Sequence, residues 1–73
     1  SARVYYQLKA YPLAEKHVKL HLEKFPADVR ATQLLAAIAL KSGNRSKAAN
    51  LVNRLNKANA EDKITRHLLK KLQ

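Results

Sequence analysis

Two histidines, His17 and His21, stand four residues apart in a stretch with helical spacing. Side chains four apart share one face of a helix, a placement that a pair of zinc ligands can use. A third ligand is missing: the chain has no cysteine, and no glutamate lies between the two histidines as in the metalloprotease signature. The pair therefore reads as structural, with His21 packed and His17 half-exposed, and neither a metal nor a cofactor is expected. Nucleophilic chemistry fares no better. Ser1, Ser42 and Ser46 have no His–Asp arrangement near them in sequence. The acids Glu15, Glu23, Asp28, Glu61 and Asp62 fall at helix ends or on solvent faces, with no pair poised for acid–base work. Gly43 is the single glycine, too few for a phosphate-cradling loop. The residue types point away from an enzyme and towards a binding role.

Charge is the next chemical signal. Fifteen basic residues against five acidic ones give a formal charge of +10. That excess suits a polyanion, an acidic protein surface or a membrane surface. The cations are spread over all the expected helices, whereas a dedicated nucleic-acid binder concentrates them on one stripe. Salt-sensitive, non-specific association with nucleic acid is the most that this spread supports. The longest apolar run, Leu34 to Leu40, is far short of the roughly 20 residues of a membrane span. The expected protein is soluble, in the cytoplasm or in a bacterial periplasm or envelope.

The elements that position these residues are helical. Proline occurs only at Pro12 and Pro26, while Ala, Leu and Lys abound. Ala2 to Lys9 reads as the tail of a helix, followed by a turn at Ala10-Tyr11-Pro12. Pro12 suits the opening of a second helix, whose stripe is Leu13, Ala14, His17, Val18, His21, Leu22 and Phe25. Pro26 should stop it. Asp28 is a natural N-cap for a third helix, striped by Ala31, Leu34, Leu35, Ile38 and Ala39 and widened by Ala36, Ala37 and Leu40. As the most apolar helix, it belongs in the middle, covered on both sides. Gly43 suits a left-handed helix end, and Asn44 or Ser46 can cap a fourth helix, with Ala48, Leu51, Val52 and Leu55 as its stripe. The polar stretch Asn56 to Ala60 should hold the next turn. Glu61 and Asp62 open a fifth helix, where the dipole favours negative charge, and its stripe is Ile64, Leu68, Leu69 and Leu72. Short connections make consecutive helices antiparallel.

Sliding the chain by 34 residues superimposes Ala2 on Ala36, Ala14 on Ala48, Val18 on Val52, Asp28 on Asp62 and Leu34-Leu35 on Leu68-Leu69. A 34-residue period with two helices per unit resembles the tetratricopeptide repeat family. The first unit shows Ala2, Tyr5, Tyr11, Ala14 and Pro26, and the second Leu35, Ala36, Gly43, Ala48 and the stretch to Leu55. Ala39 replaces the expected aromatic, Lys9 stands where the first unit would carry glycine, and Ala60 where the second would end in proline. Related helical-hairpin repeats share much of this pattern. The middle segment, AEKHVKLHLEKFPADVRATQLLAAIALKSGN, is also similar to bacterial envelope repeat proteins associated with exopolysaccharide export and PEP-CTERM protein sorting.

The resemblance implies an all-α, right-handed superhelix of antiparallel helix-turn-helix repeats, with about five helices. It divides residues 1–73 into a partial repeat (1–27), a full repeat (28–61) and the first helix of a third (62–73). It implies that Tyr5, Tyr6 and Tyr11 pack between helices. It implies a concave groove lined by the first helix of each unit, where Arg3, Tyr6, Gln7, Arg30, Gln33, Ala37, Lys41, His67 and Lys71 face outward. Such a groove takes an extended protein or peptide segment, here an acidic one. The family's carboxylate clamp needs a Lys, Asn and Arg set, and Gln33, Ala37 and Ile64 stand on the relevant faces instead, so that activity is not implied. The expected function is a protein-interaction scaffold. Its rivals are a basic nucleic-acid-binding domain and a spacer in a longer solenoid. Leu8, Leu68, Leu69 and Leu72 are expected to leave apolar surface at the ends of the stack, which favours self-association.

Overall fold

The computed structural model describes residues 6–73, and these are helical with no strand among them. Four helices follow one another: α1 (Tyr11–Lys24), α2 (Val29–Lys41), α3 (Arg45–Ala58) and α4 (Lys63–Leu72). Tyr6 and Gln7 are helical as well, ahead of a turn at Leu8 and Lys9. The remainder of the first expected helix, including Arg3 and Tyr5, lies outside the described residues.

Local chemistry sets the helix ends. Pro12 sits in the first turn of α1, where its missing N–H leaves no carbonyl unpaired. The helix stops one residue before the Phe25-Pro26 step. Asp28, Asn44 and Asp62 are the N-caps of α2, α3 and α4, each accepting a hydrogen bond from the backbone N–H three residues on. Gly43, at φ 88°, closes α2. Its N–H donates to Leu40 O, and the Asn44 N–H donates to Ala39 O, which together form a Schellman cap. One boundary differs from expectation: α3 runs on through Asn56 and Lys57 to Ala58. Those polar residues lie at its partly or fully exposed surface, and nothing in them breaks a helix. The turn begins instead at Asn59, whose Oδ1 accepts from the Glu61 N–H.

The connections have three or four residues, so each helix folds back against the one before it. The apolar α2 lies in the middle and touches α1, α3 and α4. Its one side packs Leu35 and Ile38 against Ala14 and Val18 of α1, with Tyr6 and Tyr11 at the edge. Its other side packs Ala36 against Val52 of α3 and Leu68 of α4. The expected stripe of α1 is narrower than its sequence suggests. Ala14 and Val18 are buried and Leu22 half-buried, but Leu13, His17, His21 and Phe25 are exposed. Only one line of residues spaced four apart meets α2, so side chains a step round the helix stay at the rim. Leu68, expected to be left exposed, is instead buried at 5 % exposure, and Leu69 and Leu72 pack beside it. Leu8 is 71 % exposed, as expected.

Backbone features recur every 34 residues. The 14-residue helices α1 and α3 begin at Tyr11 and Arg45, and α2 and α4 begin at Val29 and Lys63. The turn bonds recur too: Lys9 N–H to Tyr6 O matches Gly43 N–H to Leu40 O, and Asp28 N–H to Phe25 O matches Asp62 N–H to Asn59 O. Lys9 departs from glycine in identity but takes the glycine's conformation, with φ 61°. A left-handed lysine is strained by roughly 1–2 kcal/mol. Two substitutions at these matched turns should therefore act in opposite directions. Lys9→Gly is expected to raise stability by about 0.5 kcal/mol, the relieved strain being partly offset by the entropy of glycine. Gly43→Ala is expected to lower it by roughly 1 kcal/mol through the backbone alone, since no atom lies within 4 Å of an added Cβ. Urea unfolding midpoints followed by circular dichroism measure both.

Candidate functional site

The side of α2 that lies between α1 and α4 is a groove of about 680 Å³. Its floor is apolar: Val18 from α1, Ala31, Leu34 and Ala37 from α2, and Leu68 from α4. Its rim is polar. His17 and His21 border it on the α1 side, Asp28 and Arg30 at the start of α2, and the exposed Ile64 extends it onto α4.

The groove rests on a polar clasp. Gln33 was expected to face outward, but it is 4 % exposed. Its Nε2 donates to Asp62 Oδ1 at 2.8 Å and to Thr65 Oγ1 at 3.2 Å. The same Asp62 oxygen accepts the Thr65 N–H at 3.0 Å. The physical reason for the correction is that α4 folds onto α2 beside Gln33 and brings its own N-cap there. A buried amide is tolerated because both its hydrogens find acceptors. The Thr65 N–H is the main cause that holds the Asp62 carboxyl below its ordinary value of 3.8, with help from Gln33 and the charge of Arg30.

The rim carries a second polar contact. His21 Nε2 lies 2.7 Å from Asp28 Oδ2, while Asp28 Oδ1 accepts the Ala31 N–H at 3.2 Å. The His21 contact, and after it the Ala31 N–H, lowers the Asp28 pKa. His21 was expected to be packed; it is exposed, its ring tilted at 36° to that of Phe25 with centroids 5.0 Å apart, and its Nε2 reaches the cap of the next helix. No group of three or more His, Cys, Asp or Glu side chains among the described residues could hold a metal ion.

Of the residues expected in a groove, Arg30, Gln33 and Ala37 line this one. Tyr6 packs into the first core cluster instead, its ring 5.9 Å from that of Tyr11, and burial raises its pKa. Gln7 and Lys41 are exposed and do not line it. His67 and Lys71 lie on α4 away from it, and Arg3 is outside the described residues. His17, His21, Asp28 and Val18 were missed as groove residues, as were Ala31, Leu34, Ile64 and Leu68. The four-residue spacing of His17 and His21 was visible, but it weighed only as a metal signal. That α1 supplies one wall depends on how α1 and α2 cross.

No family model matches this chain, and neither a curated protein nor a solved structure matches it.

The clasp yields a pH prediction. Asp28 and Asp62 have depressed folded pKa values, so their contribution is complete above the ordinary value of 3.8 and is lost as pH falls through the folded value. Gln33→Glu should reverse that sign locally. The new carboxyl, buried beside Asp62, has a folded pKa above its unfolded value of about 4.3. Its favourable neutral form persists below that pH and is lost as pH rises. The variant should be destabilised by roughly 1–3 kcal/mol at neutral pH, and much of the deficit should vanish near pH 4. Thermal melts of both proteins across this range decide it; a deficit independent of pH would contradict the clasp.

Proposed function

We propose that this chain is a protein-interaction module of the tetratricopeptide type, a right-handed superhelical stack whose role is binding rather than catalysis. Its partner is an acidic peptide segment seated in the groove over α2. The observation that carries this reading is the groove itself, an apolar floor from three helices with a cation, Arg30, at its mouth. Ligand sites are commonly concave, largely apolar and marked by a few placed polar groups. The clasp of Gln33, Asp62 and Thr65 ties α2 to the start of α4 at the groove, so the groove is formed before a ligand arrives. The 34-residue recurrence of caps, turns and helix starts supports the division into a partial repeat, a full repeat and the opening helix of a third. A place in the bacterial envelope belongs to the same reading and rests on the similarity of the middle segment alone. No helix among the described residues is long and apolar enough to cross a membrane.

Selection of a displayed random-peptide library on the immobilised protein tests the groove. Enriched peptides should combine acidic with apolar residues. Their affinity should fall at least about tenfold in Arg30→Glu and in Ala37→Trp, which put a repelling charge at the mouth and bulk on the floor; a loss of about 1.4 kcal/mol corresponds to that factor. Circular dichroism confirms that both variants stay folded. Peptides that bind wild type and folded variants equally, or a selection without enrichment, would overturn the groove as the binding surface and favour a spacer role.

A further inference from the structure

The 34-residue correspondence allows α2 and α4 to be compared face by face. Both helices turn one face into the stack: Leu34, Leu35 and Ile38 on α2, and Leu68, Leu69 and Leu72 on α4. On α2 the opposite face is occupied as well, since Gln33 meets α4 and Ala36 packs among Val52 and Leu68. The positions on α4 that correspond to Gln33 and Ala36 are His67 and Lys70, and those that correspond to Val29 and Thr32 are Lys63 and Arg66. A close helix contact requires a small residue where Ala36 stands, and a lysine there prevents it. The outward face of α4 is thus built differently from that of α2.

Lys63, Arg66, His67 and Lys70 follow the i, i+3, i+4, i+7 rule of a single helical face. All four are exposed, and together they line a shallow depression of about 220 Å³ that no other described residue lines. None of the ion pairs among the described residues involves Lys63, Arg66 or Lys70; Glu15 and Asp28 are engaged with Lys19, Lys47 and His21. The helix is also held at both ends, by the clasp at Asp62 and Thr65 and by Arg45, whose Nη2 donates to Leu72 O at 2.9 Å. The spacing puts these cations on one helical face, and the fold leaves that face uncovered.

We propose that this face of α4 binds the phosphate backbone of nucleic acid, without reading its sequence. From Lys63 to Lys70 the helix rises about 10 Å. A duplex presents about six phosphate charges over that length. The chemistry favours nucleic acid over the other polyanions. Insertion into an acidic membrane needs a broad free apolar face, and on α4 Ile64 is exposed while Thr65 and Leu68 are buried in the stack, too little apolar surface for that. An acidic protein surface binds tightly through buried aromatic or aliphatic anchors, and the stripe has none. Backbone phosphates require cations alone. This surface is separate from the groove over α2 and does not depend on what that groove holds.

Fluorescence anisotropy with a labelled duplex of roughly 20 base pairs tests the proposal between about 50 and 200 mM salt. The triple variant K63Q/R66Q/K70Q is compared with K16Q/K24Q/K57Q, which removes equal charge from exposed positions elsewhere. The α4 variant should lose on the order of a hundredfold in affinity and about 2.7 units of the salt slope, with the control much closer to wild type. Amide shifts of the wild-type protein on adding duplex, which need no variant to fold, should concentrate between Lys63 and Lys71. Equal losses in the two triple variants, shifts centred on another helix, or tighter binding to polyglutamate or to phosphatidylserine vesicles than to the duplex would each overturn it.

Discussion

Helices of 10 to 14 residues are marginal on their own in water, so this chain depends on how closely its helices approach. The approach is made at alanine. Ala14, Ala36 and Ala48 have no exposed surface, and they lie on three successive helices. A side chain of one carbon lets neighbouring backbones come close enough for Val18 to pack with Ile38 in one cluster and Val52 with Leu68 in the other. Larger residues at those points would part the helices and open both core clusters at once, because α2 belongs to both and Leu51 packs against both.

Once the alanines bring α2 between its neighbours, its polar residues acquire partners that they cannot find locally. Gln33 is 29 residues from Asp62 in sequence and 2.8 Å from it in space. The contact stitches the start of α4 to the side of α2. Asp62 thereby works twice, as the N-cap of its own helix and as the acceptor for a distant amide. Asp28, at the corresponding position, is also engaged twice, by Ala31 on its own helix and by His21 from the helix before. The same position in two units thus ties each helix start to a preceding helix, with different donors.

The two candidate surfaces follow from a difference between α2 and α4. Both faces of α2 are used inside the stack, and the groove exists because α1 and α4 flank it without meeting over Ala31, Leu34 and Ala37. One face of α4 is buried and the other bears cations. Anchoring by the clasp and by Arg45 gives that charged face a fixed orientation, which a free basic helix would lack.

Local rules were enough to locate most elements from the residues. Asp28, Asn44, Gly43, Pro12 and Pro26 act within a turn of themselves, so their caps and breaks were legible, as was the central place of the most apolar helix. Asn56 and Lys57 misled because polarity marks a turn only when something also breaks the helix. The site was less legible. Arg30 and Ala37 were assigned to a groove by the family resemblance, but Gln33 is buried because of a partner 29 residues away, and His21 is exposed because of the line along which α1 meets α2. Periodicity assigns a residue to a face of its helix; which neighbour covers that face, and where two helices leave a gap, depends on packing between segments far apart in the chain. The sequence by itself determined that the chain is helical, where α1 to α4 begin and the 34-residue spacing of those starts. Only the tertiary structure decided which polar residues are interior, which wall α1 lends to the groove and that the cationic face of α4 stays uncovered, because those depend on distances between helices.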